Sequence, residues 1–140
     1  MTTHSIQSRF TSGMAFSSDI NGHTVITDST PDDGGSDSGP SPKRLMLASL
    51  SGCTGIDIVS ILNKMKVPFR DFTIQVEATL TEEHPKIYNH VTLTYTIAMA
   101  ESDRPKMEKA VNLSQEKYCG VYAMFSHFAT MKTEIVIRNS

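Results

Sequence analysis

The sequence predicts an α+β domain, and three observations carry that prediction. Two segments, "RDFTIQVEATL" and "HVTLTYTIAM", alternate apolar and polar residues. One long segment, "LMLASLSGCTGIDIVSILNKM", is apolar almost throughout. The elements run strands, helix, two strands, two helices, strand, an order in which helices pack against antiparallel sheet. At 140 residues the chain has room for one real core and little room for two. Residues 1–140 are therefore read as a single domain with a flexible loop at 28–42.

The N-terminal strands come from short alternating stretches between Ile6 and Asp28. Asn21-Gly22 within "DINGHTV" is a type I′ hairpin signal. "DSTPDDGGSDSGPSP" (28–42) then supplies Gly, Ser, Asp and Pro and almost nothing to bury, which reads as a loop. Ser41-Pro42 is a helix start, an N-cap residue followed by a proline. The helix runs from Leu45 to Met65, and Pro68 stops it. Its apolar residues cover nearly every azimuth, so it needs cover on nearly every side. One small sheet covers one side, and a partner subunit is the simplest cover for the other.

In the next two strands Phe72, Ile74, Val76, Ala78 and Leu80 share a face, and Val91, Leu93, Tyr95, Ile97 and Met99 repeat it. The opposite face is Thr, Gln and Glu, as expected for an antiparallel pair wet on one side. "SDRPKMEKAVNLSQEKY" predicts a helix capped by Ser102 or Asp103, with Met107, Ala110, Val111 and Ser114 inward. A second short helix after Tyr118 carries Val121, Met124, Phe125 and Phe128 at i, i+3, i+4, i+7, and "TEIVIRN" closes the chain as a strand.

Composition bounds the function. A formal charge of −2 gives no electrostatic reason to expect nucleic acid or anionic membrane as a partner. No apolar run is expected to reach ~18 residues, and "MTTHSIQSRF" lacks the apolar stretch of a signal peptide. A cytoplasmic, reducing setting is the expectation, where two cysteines read as core thiols, metal ligands or a redox pair. The five histidines, His4, His23, His84, His90 and His127, show no ligand spacing with each other or with the cysteines, so no metal site is expected. Gly-rich phosphate loops and Gly-x-Ser-x-Gly elbows are missing from the sequence.

The two thiols, Cys53 and Cys119, hold the chemistry. A thiolate is favoured at helix N-termini or beside cations. On that rule Cys119, which opens a helix, is better placed than Cys53, which lies about 15 Å into a helix unless Gly52 or Gly55 interrupts it. Asp57, one turn after Cys53, either orients a neighbour or is simply solvated, and as an unpaired anion it opposes thiolate formation. His127, about two turns after Cys119, is either a pairing base or a surface residue. On composition alone, two inert buried cysteines stay an open reading.

"GPSPKRLMLASLSGCTGIDIVSILNKM" together with "NLSQEKYCGVYAMF" closely resembles the OsmC/Ohr superfamily, in its OsmC-like branch. The likeness runs from about Gly39 to the C-terminus. It implies an intertwined homodimer whose antiparallel sheets wrap long central helices, with two sites at the interface. It also implies reduction of organic or fatty-acid hydroperoxides by thiols alone, without a cofactor. The position matching Cys53 is then the peroxidatic thiolate, oxidised to a sulfenic acid, and the position matching Cys119 resolves it to a disulfide. An external dithiol reductant reopens that disulfide. The resemblance thus reverses the assignment made from helix ends.

One departure stands beside the match. Active members support the thiolate with an N-terminal arginine paired to a glutamate near a Pro-x-Glu stretch. This chain reads Pro42-Lys43-Arg44 there, and no arginine occurs between Arg9 and Arg44. Arg44 or Lys43 is the candidate replacement cation, and a solvated first helix turn is the plain alternative. Two functions follow: a thiol-dependent hydroperoxide reductase, or a non-catalytic or redox-sensing dimer that binds an apolar small molecule at the subunit interface.

Overall fold

The computed structural model describes residues 1–139. They form two compact units, Met1–Leu47 and a second from Ala48 onward. In chain order the elements are β1 (Gln7–Ser12), β2 (Ala15–Ile20), β3 (His23–Thr27), α1 (Pro42–Lys64), β4 (Arg70–Leu80), β5 (Tyr88–Ala98), α2 (Arg104–Leu113), α3 (Gly120–Ser126) and β6 (Thr130–Arg138). A π turn, Ser114–Tyr118, joins α2 to α3.

The first unit is an antiparallel sheet, β1-β2-β3. β2 and β3 pair Ile20 with His23, leaving Asn21-Gly22 as a two-residue loop with φ of 52° and 81°. Positive φ at both positions is what a type I′ turn demands, and Asn-Gly meets it with little strain. Beyond β3 the loop is built around Asp28. Its carboxylate accepts hydrogen bonds from the Ser29 N–H (2.7 Å), the Ser36 N–H (3.2 Å), the Ser38 N–H (3.1 Å) and the Ser38 hydroxyl (2.7 Å). The Asp28 N–H donates to the Pro40 carbonyl at 3.2 Å, tying the two ends of the loop together. Gly35 lies against the Ser29 carbonyl where any Cβ would collide.

These bonds to the ionised form, led by those from Ser38, lower the Asp28 pKa to about 2. A depressed folded-state pKa stabilises the fold above the ordinary carboxylate value and loses that contribution as pH falls toward the folded value. The thermal midpoint is therefore expected to drop between about pH 4 and pH 2. Asp28→Asn should lower the midpoint by several degrees at neutral pH and flatten that acid limb. A variant with the wild-type acid limb, followed by thermal melts across this range, rejects the account.

The second unit is a mixed sheet, β4-β5-β6, with helices on one face. β4 and β5 are antiparallel, in a register that sets Ile74 opposite Tyr95, Val76 opposite Leu93 and Ala78 opposite Val91. β6 joins β5 in parallel, with Ile135 beside Tyr95 and Thr133 beside Leu93. Parallel pairing requires a crossover, and α2, the π turn and α3 supply it. The covered face is apolar: Val91, Leu93, Tyr95 and Ile97 are fully buried against Met107, Ala110, Val111 and Phe125. The other face carries Thr73, Gln75, Glu77, Thr92, Thr94 and Glu134, as the alternation predicts.

α1 ends in a Schellman motif. The Lys66 N–H donates to the Asn63 carbonyl (3.1 Å) and the Val67 N–H to the Leu62 carbonyl (3.0 Å), while Lys66 takes φ of 59°. Val67 and Leu62, both buried, supply the hydrophobic contact of that motif. The stop is set one turn before Pro68. Neither Gly52 nor Gly55 interrupts the helix. Gly55 instead packs under Ile74, whose Cδ1 lies 3.2 Å from where a Cβ would stand.

The expectation that no apolar run reaches about 18 residues fails for α1, which by length and composition is long enough to cross a bilayer. Asp57 alone carries charge between Arg44 and Lys64, and small Ala, Ser and Gly residues hardly dilute the rest. Leu50, Thr54, Ile58 and Leu62, spaced by four, form its one buried stripe. A mid-helix carboxylate is costly in hydrocarbon, and the Asp57 side chain here is hydrogen-bonded to protein. α3 also departs from its expected pattern: Phe125 is buried, but Met124 is 64% exposed.

Candidate active site

Cys53 sits about three turns into α1 and is partly exposed. Cys119 is buried and forms the N-cap of α3, its Sγ accepting from the Tyr122 N–H at 3.2 Å. The two thiols are neighbours, each close enough to act on the other electrostatically, and both are free. The sequence placed them far apart; the crossover brings them together.

Burial pushes the Cys119 thiol up to about 12, with the Cys53 side chain adding to the rise, the Tyr122 N–H partly opposing it, and the Asp57 charge adding further. The helix-end argument from sequence therefore named a real interaction and ranked it wrongly. One amide contact at a seven-residue helix is outweighed by loss of solvent. His127 is exposed at the far end of α3, about 12 Å along its axis from Cys119, so the structure does not bring that pair together.

Around the thiols runs a polar network that the sequence did not reveal. Ser114 Oγ donates to Asp57 Oδ2 at 3.0 Å and is bonded to Thr54 Oγ1 at 2.7 Å. Thr54 Oγ1 is in turn 3.0 Å from the Tyr95 hydroxyl. Gln115 Nε2 donates to Tyr95 (3.1 Å) and to Thr133 Oγ1 (2.8 Å). Burial raises the pKa of both Tyr95 and Tyr122. Thr54 and Ser114 are completely buried, so each hydroxyl needs these partners. Asp57 thus orients a neighbour, one of its two readings from sequence. Thr133 was the available signal: it is the one polar residue on an otherwise apolar face.

Lys43 and Arg44 are exposed in the first turn of α1, within the first unit. The Arg44 guanidinium donates to Ser41 Oγ at 3.1 Å. Among the described residues, no group of three or more His, Cys, Asp or Glu is arranged to hold a metal.

Two further hollows flank α1 in the second unit. A groove of about 700 Å³ is lined by Gly52, Gly55, Ile56, Val59, Phe72 and Ile74, with Ile56 73% exposed. A smaller one, about 430 Å³, lies between α1 and α2 with Asp57, Lys64, Lys109 and Tyr118 on its walls.

The mixed sheet and its crossover thus set a buried thiol beside a second thiol from a long helix. The family described as OsmC-like protein matches residues 35–134. Protein YhfA of Escherichia coli K12 is 32% identical over 103 residues, 74% of each chain. The crystal structure of a hypothetical protein from Aquifex aeolicus VF5 superposes with a TM-score of 0.87 at 27% identity, over 100% of this chain and 99% of that one. An organic hydroperoxide resistance protein from Legionella pneumophila shares the fold at 14% identity, with a TM-score of 0.69 and coverage of 97% and 98%. The chain belongs to the OsmC-like protein family.

Proposed function

We propose that this protein reduces organic hydroperoxides, with Cys53 as the attacking thiol and Cys119 as the resolving one. The observation that carries this reading is the contrast between two neighbouring thiols, one partly exposed and the other buried with its pKa pushed up to about 12. A thiolate is the nucleophile, so the thiol that stays protonated is the poorer attacker. In the first step the Cys53 sulfur takes the terminal oxygen of the hydroperoxide, giving an alcohol and a Cys53 sulfenic acid. In the second, Cys119 sulfur displaces that hydroxyl. The S–S bond forms and the Cys119 proton leaves with the hydroxyl as water. An external dithiol then reduces the disulfide by exchange.

One equivalent of cumene hydroperoxide added to the reduced protein should give an intrachain Cys53–Cys119 disulfide, read by mass spectrometry as loss of two hydrogens. Protein that stays reduced, with no peroxide consumed, overturns the proposal.

The reading includes a homodimer, because the groove along Ile56, Val59, Phe72 and Ile74 leaves much apolar surface of α1 and β4 uncovered. It also assigns Arg44, with Lys43 as the alternative, to the support of the Cys53 thiolate of a second copy, because within one chain unbroken helix sets these cations about 14–15 Å along the axis from that cysteine; a planar guanidinium can engage thiolate and peroxide oxygen together. Arg44→Ala should then slow iodoacetamide labelling of Cys53 several-fold and lower peroxide turnover, with little change in melting temperature. Unchanged thiol reactivity in both Arg44→Ala and Lys43→Ala leaves these side chains as solvated helix-start residues. It moves weight to the second reading, a dimer that binds an apolar small molecule in the groove and uses the thiol pair as a sensor.

A further inference from the structure

The hydrogen-bond chain beside the thiols has a determined direction. A carboxylate only accepts, so the single Ser114 hydroxyl hydrogen is committed to Asp57. Thr54 must then donate to Ser114, and Tyr95 to Thr54, while the Gln115 amide donates to Tyr95. Every hydrogen in the chain points toward Asp57. Ser114 is the joint of this arrangement. Its side chain is held by two residues of α1, Thr54 and Asp57, and its carbonyl accepts the Cys119 N–H at 2.7 Å in the wide ring of the π turn. Thr54 follows Cys53 directly in sequence. One residue therefore grips the helix of the first thiol with its side chain and the backbone of the second thiol with its main chain.

We propose that Ser114, held by Thr54 and Asp57, is a positioning residue that fixes the π turn and presents the Cys119 thiol to Cys53, so that an oxidised Cys53 closes to the disulfide instead of persisting as a sulfenic acid. This rests on the redox reading of the pair, yet it concerns the closing step and not the attack on peroxide. Neither Ser114 nor Asp57 needs to touch the oxidant. Their contribution is the effective concentration of one sulfur at the other, which geometry alone sets.

The test separates the two steps. In Ser114→Ala, loss of the free Cys53 thiol on adding cumene hydroperoxide should stay within about twofold of wild type. Disulfide closure should slow about tenfold or more, and dimedone should capture Cys53 sulfenic acid that wild type does not accumulate. Ser114→Thr keeps the hydroxyl and should restore closure. Asp57→Asn keeps an acceptor and should close like wild type, whereas Asp57→Ala should behave like Ser114→Ala. Should Ser114→Ala fail to fold, the Asp57 pair makes the same comparison on a partly exposed side chain. Closure driven by diamide, which needs two apposed thiols and no peroxide, is measured in parallel. If wild type ignores the hydroperoxide, the proposed function fails and the diamide arm still reads the clamp. Ser114→Ala and Asp57→Ala closing at the wild-type rate in that arm overturns the positioning role.

Discussion

Replacing Cys53 with serine is expected to reduce hydroperoxide turnover to background and abolish the Cys53–Cys119 disulfide. Replacing Cys119 with serine is expected to leave Cys53 as a trappable sulfenic acid after one turnover. The asymmetry follows from the site: the two thiols are partners, but only Cys53 is partly open to a substrate. Cys119 lies 2% exposed beneath it. With its thiol at about 12, only a very small fraction of Cys119 is thiolate at neutral pH. Burial that disqualifies it as the attacker does not disqualify it as the resolver, because it need only reach a neighbouring sulfur. The comparison is made by intact-mass analysis of each variant after one equivalent of peroxide. Oxidation appearing first on Cys119 would return the leading role to the residue at the helix terminus and overturn the order of steps.

The second large effect concerns assembly. Ile56 is 73% exposed on α1, one turn before Val59, above a groove floored by Phe72 and Ile74. Burying a side chain of this size against a second copy contributes roughly 1.5–3 kcal/mol per subunit. Placing a carboxylate there adds the cost of desolvating an unpaired charge. Ile56→Glu is therefore expected to weaken the homodimer at least about a hundredfold and to yield monomer at micromolar concentration. Light scattering on the wild-type protein is the decisive control. A stable, folded wild-type monomer at that concentration means the groove is not a subunit interface, whatever the variant does.

How far the sequence led depends on how local each cause was. β4 is found where the alternation placed it, and β5 within a few residues, because their apolar residues recur every second position. The Asn21-Gly22 turn was legible because two adjacent residues specify it. The start of α1 was legible in Ser41-Pro42, while its end was set by Lys66 adopting a left-handed conformation, which nothing in a lysine announces. The π turn was read as plain helix, since the hydrogen bond that widens it depends on Ser114 being held from α1. Thr54, Ser114 and Gln115 looked like unremarked small or polar residues. Their partners lie far away in the chain, and only the assembled sheet makes them a network. Asp28 was hidden for the opposite reason: its partners are close in sequence but lie in a segment whose composition suggested no fixed conformation.

The parallel placement of β6 on β5 carries a consequence for biosynthesis. β4 and β5 are neighbours in sequence and can pair soon after both leave the ribosome, whereas β6 must wait for the whole crossover and then for itself. Thr133 is on that strand, and through Gln115 it reaches the π turn that leads to Cys119. The nascent chain therefore exposes Cys53 while the 66 residues up to Cys119 are still being made. Until β6 docks, the Thr133 hydroxyl that Gln115 reaches is missing, and the polar network beside the thiols stays open at that end.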